Sequence, residues 1–251
     1  MRIVSLAPSN TEILFAIGAG DSIVGRTAYC DYPAQAKAIP KVGDWVSPGI
    51  SSIRALRPDL VLTSTIVQEK LAAELKAAGL PVEHLSPRTL DDVFLSIRKI
   101  GALTGRGGES AQVAERLEQG LSDIEARCSG PRPRLYIEEW HEPPFVSGNW
   151  VPRIASMAGA DYFPIAEGAA SRPVEAPEMS GFAPQLIVLS LCGVKARPEI
   201  VLRRASWGSL EAVKKGKISV FDDSLLNRPG PRLLEGCRRL AALISSWRTA
   251  G

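Results

Sequence analysis

No run of eighteen apolar residues occurs, so nothing in the sequence reads as a membrane-spanning helix. No dense basic block accompanies the net charge of +3, which removes the usual argument for nucleic acid. G-x-G-x-x-G and G-x-x-x-x-G-K-[S/T] are both missing, so nucleotide binding lacks its usual support. A G-x-S-x-G nucleophile elbow is missing as well, which lowers the case for a hydrolase. Only two histidines occur, His84 and His141, so a three-histidine zinc site cannot be built. Cys30, Cys128, Cys192 and Cys237 lie far apart, without C-x-x-C or zinc-ligand spacing, and no structural metal is expected. They suit a reducing compartment as unpaired apolar fillers, although four could also form two disulfides. The N-terminus shows no basic start, apolar run and small-residue cleavage site, because Met1-Arg2 leads straight into Ile3-Val4-Ser5-Leu6. The location this predicts is cytoplasmic, with a periplasmic or extracellular one if a leader has been removed.

What is present is an alternation of short apolar runs and amphipathic stretches. Ile3–Leu6, Ile23–Val24, Asp59–Thr63 and Pro81–Leu85 read as strands. Between them lie helices: one entered by a capping-box spacing, Ser9 to Glu12, and one over Gln68–Ala78 ended by Gly79. Thr89–Leu103 is helical again. Val113, Leu117, Leu121 and Ile124 make one stripe on the longest helix, Glu109–Arg127, which Gly130-Pro131 ends. The pattern then restarts with strands at Leu135–Ile137, Leu186–Leu189 and Ile218–Phe221 and a closing helix through Leu233–Ile244.

This predicts an α/β chain of two Rossmann-like lobes, residues 1–105 and 132–251, joined by a linking helix within 106–131. Two lobes on a stiff connector should leave a ligand cleft. Open α/β sheets present ligands beyond their strand ends, which selects four segments. Ala7-Pro8-Ser9-Asn10 could receive a negative group at a helix start, or be a simple cap. Tyr29-Cys30-Asp31-Tyr32-Pro33 and Gly43-Asp44-Trp45 offer aromatics to a large flat ligand, or plug the base of a loop, the reading favoured for Tyr32. Glu138-Glu139-Trp140-His141-Glu142, followed by Phe145 and Trp150, is polar and aromatic at once. It reads as a binding loop before a catalytic one, although its glutamates could serve as acid and base. In Asn227-Arg228-Pro229-Gly230-Pro231-Arg232 the prolines and glycine hold the backbone so that Arg228 is presented as a forked donor.

On these residues the chain resembles the helical-backbone substrate-binding proteins of ABC importers, particularly the cobalamin-receptor branch. The resemblance runs through Arg2–Glu12, Tyr29–Pro33, Ile53–Val61, Pro143–Gly148, Ala183–Val188 and Asn227–Arg232. It implies two lobes bridged by one long helix, with a large planar ligand between them: cobalamin or a related corrinoid, or else haem or a ferric siderophore. It further implies aromatic packing by Tyr29, Trp45 and Phe145, with Trp150 as a further aromatic, and a ligand contact from Arg228. The protein is expected to be a monomer and not an enzyme, the alternative being an intracellular enzyme acting on a corrinoid. Family members present one glutamate per lobe to their permease. Here Ser51 and Ser52 occupy the first region and Glu175 or Glu178 the second, so weak delivery to an ABC permease is expected.

Overall fold

The computed structural model describes residues 1–249. The chain divides into two compact units, Met1–Pro87 with Asp91–Leu117, and Arg88–Leu90 with everything from Glu118 onward.

The first unit alternates strand and helix: β1 (Ile3–Ser5), α1 (Pro8–Ala16), β2 (Ile23–Arg26), α2 (Ile50–Ala55), β3 (Leu60–Ser64), α3 (Glu69–Ala77) and β4 (Val82–Leu85). Next come α4 (Leu90–Leu103) and α5 (Gly107–Arg127), the latter divided between the units after Leu117. The four strands form one parallel sheet in the order β2-β1-β3-β4. Val4, Leu6, Val61, Leu71 and Leu75 pack on one side of it with Ile53 of α2. Strands buried on both faces read as unbroken apolar runs, which is why β1 and β3 are visible in the sequence.

The start of α1 differs from the capping box expected at Ser9. Ala7 stands at the cap without a side-chain bond, and Pro8 opens the helix, where its missing N–H costs nothing. Ser9, Asn10, Thr11 and Glu12 are all buried. Thr11 shares a 2.7 Å hydrogen bond with Ser5, and Asn10 donates across to the Thr63 carbonyl of β3. These polar side chains tie α1 to the sheet instead of capping it.

The second unit contains β5 (Arg134–His141), β6 (Pro144–Val146), α6 (Val151–Met157), β7 (Asp161–Tyr162), β8 (Arg172–Pro173) and α7 (Ala176–Phe182). It continues with β9 (Leu186–Leu189), α8 (Glu199–Leu202), α9 (Glu211–Lys214), β10 (Ile218–Val220) and α10 (Leu233–Thr249). β5 pairs parallel with β9, which pairs parallel with β10, and β6 and β8 add an antiparallel flank. The core gathers Tyr136, Phe163, Ile187, Leu189 and Trp207, with Tyr136 edge-on to both Phe163 and Trp207.

This unit holds a buried ion pair. Glu138 of β5 is fully buried and receives two hydrogen bonds from Arg204, at 2.6 and 2.8 Å. The same guanidinium donates to the His141 carbonyl and lies 4.3 Å over the Trp207 ring. Burial holds the Glu138 carboxyl above its ordinary value of 4.5, with Arg204 acting in the opposite direction. The folded state therefore binds this proton more tightly than the unfolded chain. The group's contribution to stability is complete below the unfolded value and is lost as pH rises through the folded one.

Arg204→Met leaves a buried carboxylate without its partner and should cost about 3–5 kcal/mol in urea unfolding. Protonation neutralises the stranded group, so the loss relative to wild type should be smaller at pH 5 than at pH 8; equal losses would show that the protonation of Glu138 does not change between them. The cysteines give a second expectation. No disulfide joins the four of them. Burial pushes the Cys192 and Cys237 thiols up to about 12. Denatured protein prepared without reductant should titrate four thiols, whereas Cys192 and Cys237 should not react in the native protein at pH 8.

Candidate functional site

In the first unit the ends of three parallel strands are tied together by buried polar side chains. After β2, Thr27 donates to the Leu6 carbonyl just past β1 and shares a 3.2 Å contact with the Cys30 thiol. Cys30 is fully buried and its thiol points at the Ser5 carbonyl. Tyr29 stands between these two anchors and is 47% exposed. Tyr32 is 46% exposed, so it does not plug the loop base as expected.

Trp45 lies at the tip of a loop closed by a bridge between Gly43 and Pro48. Gly43 adopts φ 132°, and a Cβ there would meet Pro48 Cα at 2.8 Å, so the closure demands glycine. The Trp45 carbonyl receives a 2.7 Å hydrogen bond from the buried Gln68 amide, which also donates to the Leu6 carbonyl. Tyr29 and Trp45 thus occupy one edge of the parallel sheet, where the strands end, and the indole of Trp45 is half-buried.

The sequence reading missed Ile66 and Val67, which are 50% and 53% exposed just beyond β3. Thr65 before them holds φ 65° and ψ 161°, a conformation a β-branched residue adopts at a cost of about 1–3 kcal/mol. Its N–H donates to the Leu85 carbonyl and its carbonyl accepts from the Gln68 N–H. A strained turn that keeps two apolar side chains in water is a mark of a binding surface. The available signal was an apolar pair that breaks the helical pattern ahead of α3.

In the second unit Phe145 sits on β6 opposite Trp140 of β5 and is half-buried, while Trp140 is 41% exposed. The Trp140 indole N–H donates to the Glu142 carbonyl, and its ring lies 5.5 Å from that of His141. The three nearby glutamates have separate fates. Glu138 is committed to Arg204. Glu139 accepts a 2.6 Å hydrogen bond from Ser171, and burial raises its pKa. Glu142 is exposed. They do not converge as an acid–base pair. Among the described residues no three histidine, cysteine or acidic side chains gather to hold a metal ion.

Arg228 follows a segment held on both sides. Asn227 donates to the Ser190 carbonyl at 2.6 Å and to the Cys192 thiol at 3.1 Å. The Leu226 carbonyl accepts the Trp150 indole N–H at 2.8 Å. Trp150 is therefore buried, 4% exposed, with its indole N–H committed to the backbone two residues before Arg228. Arg228 itself is half-buried and close enough to Cys192 to favour its thiolate against the larger effect of burial. The structure thus places Tyr29 with Trp45 in one unit, and Phe145 and Arg228 beside the ends of β5 and β9 in the other.

The positions expected to meet a permease are equally definite. Ser51 and Ser52 are exposed on α2. Glu175 and Glu178 form a reciprocal capping box on α7, and Glu178 also pairs with Arg172 at 2.8 Å.

The chain is similar to an uncharacterised ABC transporter substrate-binding lipoprotein, YvrC of Bacillus subtilis (strain 168). Identity is 31%, over 97% of this chain and 79% of the relative. It is 27% identical to a vitamin B12-binding protein of Yersinia pestis (strain Pestoides F), over 98% of this chain and 86% of that one. Among solved structures, a periplasmic heme-binding protein from Pseudomonas aeruginosa superposes with a TM-score of 0.83 at 24% identity, covering 97% of this chain and 92% of that chain.

These findings correct the expected cytoplasmic location, since relatives of this kind point outside the cytoplasm. The strand at Ile3 fixes where the folded sheet begins and carries no information about a leader cleaved before folding. The family model described as periplasmic binding protein matches residues 3–225, and the chain belongs to that family.

Proposed function

We propose that this protein is the non-enzymatic receptor of an ABC importer and that it binds cobalamin or a related corrinoid. The observation that carries the reading is Tyr29 and Trp45, aromatic side chains held at one sheet edge by buried polar anchors. Side chains so fixed lose little freedom when a flat ligand covers them. Ile66 and Val67 stand exposed just beyond β3 of the same unit, and the other unit by itself carries exposed or half-buried rings at Trp140 and Phe145 and a forked donor at Arg228. The vitamin B12-binding relative, aligned over nearly the whole chain, favours a corrinoid. The glutamates do not support turnover, because Glu138 is locked to Arg204 and Glu139 to Ser171.

Haem is the second reading, favoured by the fold shared with a heme-binding protein. A ferric siderophore would use the same kind of surface. Delivery to a permease would find no charge at Ser51 and Ser52, while in the second unit Glu175 is exposed and Glu178 is already paired to Arg172.

A spectral titration of purified protein with cyanocobalamin, cobinamide and haem should give saturable binding of the corrinoids. Replacing Tyr29, Trp45 or Phe145 by alanine should each weaken it by about 1–3 kcal/mol, the range for stacking on an aromatic side chain. Trp150→Phe should leave affinity nearly intact. Unchanged affinity in all three alanine variants would remove this surface from the ligand site, and tight binding of haem alone would select the second reading.

A further inference from the structure

Gln68 is fully buried and polar, yet every hydrogen-bonding group on its amide is in use. Its Oε1 accepts from the Ser64 N–H at 2.8 Å. Its Nε2 donates to the Leu6 carbonyl at 2.9 Å and to the Trp45 carbonyl at 2.7 Å. The three partners belong to different segments: the exit of β1, the last residue of β3 and the loop after β2. A glutamine is the side chain that offers one acceptor and two N–H donors in a rigid plane. Glutamate would turn an oxygen towards two carbonyl oxygens, and an aliphatic side chain would leave the Ser64 N–H and the Trp45 carbonyl without this partner and the Leu6 carbonyl with Thr27 alone.

Two of the three bonds close the sheet edge. The third goes to the peptide of Trp45 and so fixes the point from which the indole projects. Gln68 also sits where the strained Thr65 turn enters α3, its own N–H bonded to the Thr65 carbonyl at 3.1 Å. One residue, through its side chain and its backbone N–H, therefore ties both the Trp45 loop and the turn before Ile66–Val67.

We propose that Gln68 is a positioning residue for ligand binding, holding Trp45 in its ligand-ready place through the Trp45 carbonyl. This rests on the reading of Trp45 as a ligand contact, and the experiment separates the two. Protein labelled with 5-fluorotryptophan is compared as wild type, Gln68→Glu and Gln68→Met, with the Trp45 fluorine signal assigned by Trp45→Phe. In Gln68→Glu the Trp45 signal should move while those of Trp150 and Trp207 stay in place. Affinity for cyanocobalamin should fall about tenfold, the size of one lost buried hydrogen bond. Lowering the pH should restore part of it, because the introduced carboxyl regains one donor when protonated. Gln68→Glu combined with Trp45→Ala should lose no more affinity than Trp45→Ala alone. A Trp45 signal that stays put in Gln68→Glu, or losses that add in the double variant, would overturn the proposal. Should Gln68→Met fail to fold, Gln68→Glu decides alone. If the wild type binds neither cyanocobalamin nor haem, the ligand reading fails, and the movement of the Trp45 signal still decides whether Gln68 positions that loop.

Discussion

Parallel strands end with backbone groups that have no ladder partner, and they end where a ligand would be received. Here those groups are taken up by buried polar side chains, and the functional surface depends on that choice. Gln68, Thr27 and Asn10 reach the carbonyls of Leu6, Trp45 and Thr63 in the first unit. Asn227 and Trp150 do the same for Ser190 and Leu226 in the second. Each bond that relieves a stranded carbonyl also fixes the first residue of a loop. Tyr29, Trp45 and Arg228 lie within two residues of such a fixed point, so their side chains start from a rigid base even though they stand partly in water.

Glu138 and Arg204 show the same economy in a charged form. A buried carboxylate is costly, and its pairing with a guanidinium offsets that cost without guaranteeing extra stability. What the pair adds is connection: Arg204 reaches β5 through Glu138, its end through the His141 carbonyl, and the core through the Trp207 ring. The strand that carries Trp140 is thereby locked to the segment before α9. A carboxylate used in this way cannot exchange protons freely with a bound substrate, which accords with a receptor more than with a catalyst.

The legible parts of the sequence were those in which one physical demand dominates. Strands buried on both faces, such as β1, β3 and β9, carry apolar runs broken only near their ends, and a long helix with one buried stripe must repeat it, as α5 does. Elements governed by two demands at once were not legible. The Ser9 to Glu12 spacing imitates a cap, yet α1 is buried on all sides of its first turn and uses those residues to bond the sheet. The short antiparallel strands β6 and β8 have two or three residues and no period to detect. Trp150 looked like its more exposed neighbours Trp140 and Phe145, because composition does not say on which side of a turn a ring will fall.

Rings and directional groups divide the work of recognition between them. On the proposed reading Tyr29 and Trp45 would supply affinity with little discrimination, because every flat macrocycle has a face on which rings can pack. Discrimination has to come from directional groups at the periphery. Arg228 is one, a fork that donates to either amide or carboxylate oxygens, and it lies beside Cys192, whose surroundings include the acidic Glu139 and Asp223.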